Sequence, residues 1–156
     1  MKIKQPNSRH CFACGMENPI GLKLTFYQTA EDEVTADYVA PQDYEGYPGI
    51  LHGGVTATIL DEAVGRAFMG TDAATSKFMY TAELNLKYKG KVPVGKPLKI
   101  VGKQVKRMRW TGQSKGYIYG EDGTLLVEAT ATLVDLPAQF GEHERQALGW
   151  KTYPDE

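Results

Sequence analysis

Four residues near the middle of the chain have the types and spacing to work on a carbonyl: His52, Gly53, Gly54 and Asp61. The first N–H groups of a helix lack intrahelical partners and carry partial positive charge. Glycine lets a substrate carbonyl come close to that backbone. A Gly-Gly pair opening a helix is therefore a candidate oxyanion site. Neither position 52 nor 53 is Ser, Thr or Asp, the usual side-chain caps, so the spacing predicts donors left free for a ligand. Asp61 adds a carboxylate that can take a proton from water or attack carbon itself.

One chain cannot bring these groups together. At the helical rise, Asp61 stands roughly 12 Å from Gly53. A base must come within roughly 3 Å of the proton it takes, or act through one water. If both serve one site, Asp61 comes from a second subunit. Two such helices lying antiparallel across a two-fold axis predict a homodimer with two shared sites. Glu62 is the rival acid, about 100° further round the helix.

The elements that hold these residues follow from periodicity. Leu22, Leu24 and Phe26 alternate with polar neighbours, as do Val34, Ala36 and Tyr38, which predicts two strands with Glu31-Asp32 in the turn between them. Residues 40–51 read as a loop broken by Pro41, Gly46, Pro48 and Gly49, with Tyr44 and Tyr47 in it. From Gly53 to about Met69, Ile59, Leu60, Ala63, Val64, Ala67 and Phe68 recur at helical spacing with a wide apolar surface, the mark of a helix wrapped by sheet. Tyr80, Ala82, Leu84, Leu86 and Tyr88 alternate as the clearest strand. Residues 97–109 and 114–120 read as strands, Glu121-Asp122-Gly123 as a hairpin turn, and Leu125 to Leu133 as the last strand. Two strands, a long helix and four strands with short turns predict an α+β domain: one long central helix on a mostly antiparallel six-stranded sheet. Residues 1–19 read as an N-terminal arm, 20–136 as the domain, and 137–156 as a polar tail with a short helix around 141–148.

The chain has 156 residues, 42% hydrophobic and 24% charged, with a formal net charge of -1. That suits one globular domain and lacks the basic excess of a nucleic-acid binder. The N-terminus carries positive charge with no apolar segment behind it, and no apolar run suits a bilayer. A cytoplasmic protein with neither nucleic-acid nor membrane partner is expected.

The stretch Leu51-His52-Gly53-Gly54-Val55-Thr56-Ala57-Thr58-Ile59-Leu60-Asp61-Glu62-Ala63 resembles the signature of PaaI-like hotdog thioesterases, a group related to 4-hydroxybenzoyl-CoA thioesterase. In that signature a His-Gly-Gly opens the central helix and an acid follows nine positions after the His, where Asp61 stands. Tyr80 to Tyr88 resembles the family's first strand after the helix, and Val94-Gly95-Lys96-Pro97-Leu98 its spacer. Cys11-Phe12-Ala13-Cys14-Gly15 through Asn18-Pro19-Ile20-Gly21-Leu22 resembles an N-terminal segment of one bacterial branch. The likeness covers about residues 11–136.

The resemblance implies a hotdog fold and hydrolysis of an acyl-CoA, with no cofactor. It implies that the Gly53 N–H is the oxyanion donor, Asp61 rather than Glu62 the acid, His52 a positioning residue, and Thr81 a hydroxyl that helps hold the attacking water. It implies a homodimer, paired into a tetramer in many members. The family's Asn or Gln upstream of the His is missing; Gly46 stands there. Lys103, Lys106, Arg107 and Arg109, with Trp110, are candidates for the CoA phosphates, or for the charged guard of an edge strand. Cys11 and Cys14 read as a reduced structural pair, because with His10 only three metal ligands are visible. A non-catalytic acyl-CoA-binding module on the same fold would lose Asp61. A hotdog dehydratase would place its His differently.

Overall fold

A computed structural model describes residues 1–137 and 139–155. The elements in chain order are β1 (Ile3–Lys4), β2 (Tyr27–Ala30), β3 (Glu33–Val39), α1 (Gly53–Arg66), β4 (Met79–Tyr88), β5 (Pro97–Arg107), β6 (Thr111–Tyr119), β7 (Leu125–Asp135) and α2 (Glu142–Leu148). They form one seven-stranded sheet in the order β1-β2-β3-β5-β6-β7-β4, with every neighbouring pair antiparallel. No helix among the described residues is long and apolar enough to cross a membrane.

Helix α1 lies across the sheet and packs on β3 through β7. Ile59, Leu60, Ala63 and Val64 are fully buried against Val34, Ile100, Ile118, Val127 and Leu133. The close approach depends on Gly102 in β5: a Cβ there would fall 2.1 Å from the Ala63 carbonyl oxygen. The helix stops at Arg66, with Ala67 to Met69 in tighter turns, rather than at residue 69.

Two further expectations are corrected. The sheet has seven strands rather than six, because Ile3 and Lys4 of the arm pair with Gln28 and Tyr27. Leu22, Leu24 and Phe26 are buried as their alternation predicts, but their segment is not laddered into the sheet. Its backbone bonds run instead to the arm: the Leu22 and Leu24 N–H groups donate to the Phe12 and Ala13 carbonyls. β4 is covered only in part within the chain: Leu84 and Leu86 pack against the core. Tyr80 is 61% and Tyr88 52% exposed, and a bulge between Thr81 and Glu83 shifts the register. β4 is also a sheet edge, paired only with β7.

The arm and the tail pack together. Asn7 and Lys151 form a bridge, and Trp150 Nε1 donates to Ser76 Oγ at 2.9 Å. Both elements close around Arg66, which is wholly buried between Phe26 and Trp150.

Candidate active site

The loop before α1 is fixed from two sides. The Leu51 N–H donates to the Val92 carbonyl and the His52 N–H to the Tyr44 carbonyl, at 2.8 and 2.9 Å. Gly46 lies directly on His52: a Cβ at 46 would stand 3.3 Å from its Cα and 3.4 Å from its imidazole. The loop therefore has little room for a side chain at that position. Tyr88 Oη donates to the Gly53 carbonyl at 2.6 Å and ties the helix start to β4.

His52 is the N-cap of α1, and its Nδ1 accepts the Gly54 N–H at 2.9 Å. This corrects the expectation that the opening donors are all left free. A neutral imidazole nitrogen is an acceptor and can do what a Ser or Asp cap does. Gly54 is thus engaged, while the Gly53 N–H has no acceptor among the described residues. Gly53 opens onto a cleft of about 580 Å³ walled by Tyr47, Ile50, Leu51, Tyr88 and Val92. Thr56, one turn along, also lines it; its Oγ1 is buried and unpartnered among the described residues. Tyr44 donates to the Ile20 and Gly21 carbonyls and Phe68 packs under Gly112, so neither walls this cleft.

Asp61 is exposed and accepts a hydrogen bond from Thr81 Oγ1 at 2.7 Å. Asp61 and Thr81 therefore form one unit within a chain, apart from Gly53. Glu62 turns elsewhere. Its carboxylate takes the Arg66 Nε at 2.8 Å, beneath the arm, and burial pushes its pKa up to about 7. The two adjacent acids are thus separated by the helix, and only Asp61 faces outward with a hydroxyl beside it.

The basic segment lies at the far end of α1. Gln104 Nε2 donates to the Ala67 carbonyl at 2.7 Å. The Arg107 guanidinium is held by both Asp135 oxygens at 2.8 and 3.0 Å, and Arg109 covers Trp110. Lys103 and Lys106 are exposed and form no ion pair among the described residues. Sequence reasoning missed three residues here: Tyr88, Thr56 and Arg66. Only Arg66 left a local signal, its i,i+4 spacing from Glu62.

The thioesterase superfamily model matches residues 48–127, which include most of the cleft, Asp61 and Thr81, and the chain belongs to that superfamily. Acyl-coenzyme A thioesterase THEM4 of Mus musculus is 28% identical over 138 residues, 86% of this chain and 57% of its own length. The Rattus norvegicus protein of that name is 30% identical over 94 residues, 60% of this chain and 39% of its own. The chain thus spans about half the length of these curated relatives. Among solved structures, protein RHA08564, a thioesterase superfamily protein, aligns with a TM-score of 0.72 and 29% identity over 81% of this chain and 61% of its own. The protein smu.793 from Streptococcus mutans, solved with acetyl CoA, aligns at 0.67 with 19% identity over 78% of this chain and 94% of its own. The fold is that of the PaaI-related hotdog thioesterases.

Proposed function

We propose that the chain is an acyl-CoA thioesterase that hydrolyses a small or medium acyl- or aroyl-CoA to the free acid and CoA. The observation that carries this is the unpartnered Gly53 N–H opening an apolar cleft, two helical turns from an outward carboxylate with a hydroxyl beside it. The relatives named acyl-CoA thioesterases support the same reading.

In this mechanism the thioester carbonyl oxygen lies on the Gly53 N–H, where negative charge develops and the helix field favours it. The partner subunit's Asp61 meets the carbonyl carbon's face. As base, it takes a proton from water while the hydroxide adds to carbon. The tetrahedral oxyanion then expels the CoA thiolate, which recovers the proton. As nucleophile, it would instead form a mixed anhydride that water opens. Thr81 holds the Asp61 carboxylate in place for either route. Thr56 Oγ1 offers a polar contact on the cleft wall. His52, busy at the cap, serves as a positioning residue.

The arrangement requires a homodimer. The open β4 edge and its uncovered Tyr80 and Tyr88 supply a surface for it. Across the two-fold axis, Lys103 and Lys106 of one chain approach the partner's cleft and are the candidates for CoA phosphates. Arg107 and Arg109 are more committed to Asp135 and Trp110. Cys11 and Cys14 are free thiols, which suits action in the reducing cytoplasm.

The test is free-thiol release from a panel of short, long and aromatic acyl-CoAs by the purified chain. Hydrolysis of at least one class is expected, with Asp61→Asn lowering kcat about 100-fold or more and Glu62→Gln sparing it. No hydrolysis of any member would overturn the reading.

A further inference from the structure

The N-terminal arm carries a second cluster of reactive side chains to α1, on a different face from Asp61. The sulfurs of Cys11 and Cys14 and a carboxylate oxygen of Glu62 all lie within 4.8 Å of one another. We propose that these three side chains bind a divalent zinc-type ion that clamps the arm to the helix. His10, the third ligand considered from sequence, is exposed and outside the cluster; Glu62, 48 positions beyond Cys14, takes that place.

Donor chemistry is the first support. Two thiolates with one carboxylate suit zinc, whereas magnesium and calcium prefer oxygen alone. At zinc bond lengths of about 2.3 Å to sulfur and about 2.0 Å to oxygen, tetrahedral donors stand about 3.5–3.8 Å apart, so small side-chain rotations close the cluster on an ion. Cys14 is buried and Cys11 only half so, which leaves an entry and a fourth position for water.

The arm is also shaped to hold the two sulfurs side by side. The Cys11 N–H donates to Ser8 Oγ at 3.1 Å. Ser8 Oγ lies 3.5 Å from Cys14 Sγ. Ser8 thus ties the two cysteines into one turn. The turn is closed by the Gly15 N–H on the Cys11 carbonyl at 2.7 Å, and a Cβ at Gly15 would fall 2.4 Å from that oxygen. The Asn7 side chain braces the same loop through the Cys14 and Leu24 carbonyls.

Charge gives the third argument. Two thiolates and the Glu62 carboxylate carry three negative charges. Arg66, 2.8 Å from Glu62 and fully buried, carries one positive. The remainder, three less one, is two, and a divalent ion cancels it. Buried charge is tolerated where it is paired in this way.

The full chain, expressed with zinc and purified under reductant without chelator, is analysed by plasma mass spectrometry. About one zinc per chain is expected. Cobalt exchange should give sulfur-to-metal charge-transfer bands that vanish in Cys11→Ser and Cys14→Ser. Glu62→Gln should weaken zinc binding about 10- to 100-fold in competition with a chromophoric chelator. Should a cysteine variant fail to fold, the wild-type chain still decides. Stripping it with chelator should lower its thermal midpoint, and zinc but not magnesium should restore it. The proposal is overturned by wild-type chain that retains no zinc after saturation and dialysis, by serine variants that bind as wild type does, or by a midpoint indifferent to stripping. None of these readouts needs acyl-CoA hydrolysis, so failure here is distinct from failure of the thioesterase reading.

Discussion

Gly53 occupies the first helical position, where proline is well tolerated because its missing N–H has no intrahelical partner. His52, before it, sits at φ -56 and ψ 133, a conformation that suits a residue preceding proline. A Cβ at 53 would meet only the Tyr88 ring, at ordinary van der Waals distance. Gly53→Pro thus deletes the proposed oxyanion donor with little disturbance. We expect kcat to fall about 100- to 1,000-fold while the thermal midpoint stays within a few degrees. Gly53→Ala, which keeps the N–H, should retain most activity. A fully active proline variant would place the donor elsewhere. For Thr81→Val, loss of the 2.7 Å bond to Asp61 should lower kcat about tenfold with KM nearly unchanged. The types and spacing of Gly53 and Asp61 were legible in the sequence because helix geometry is fixed. The His52 cap was not, since imidazole seldom fills that role. Nor was the turning of Glu62 inward, which depends on Arg66 and the arm.

At the scale of elements, α1 is fastened at its end by one buried cation. Arg66 donates to Glu62, to the Pro6 carbonyl and to Asn7, and lies against Phe26 and Trp150. Arg66→Ala would leave a buried carboxylate, a carbonyl and an amide unpaired at once. A loss of about 3–5 kcal/mol is expected from denaturant midpoints in chelator-treated protein. A loss under about 1 kcal/mol would mean that water replaces the guanidinium. Alternation and helical spacing exposed β3 to β7 and α1, because those elements bury one face. The pairing of the arm with the sheet escaped notice for a physical reason. A two-residue strand has no measurable period, and Asn7 holds the loop through side-chain bonds to distant carbonyls. β4 shows the opposite case. Its pattern was plain, but the chain leaves Tyr80 and Tyr88 exposed.

The whole molecule makes the strictest demand, because each proposed site takes Gly53 from one subunit and Asp61 from the other. Homodimers of Gly53→Pro lack the donor in both sites, and homodimers of Asp61→Asn lack the acid in both. A mixed dimer differs. The Asp61→Asn chain still offers its Gly53, and the Gly53→Pro chain still offers its Asp61. One site is then intact and the other doubly disabled. If the two inactive proteins are unfolded together and refolded in equal amounts, half the dimers are mixed and each has half its sites. About a quarter of wild-type activity should return under random pairing. The same proteins refolded separately and then combined should regain activity only as subunits exchange. Sites contained within one chain would give no recovery under any mixing, and a chain that sediments as a monomer would exclude sharing altogether. Recovery near a quarter would tie the chemistry of one helix to the presence of its twin, and would assign the uncovered β4 edge a reason for staying open in the isolated chain.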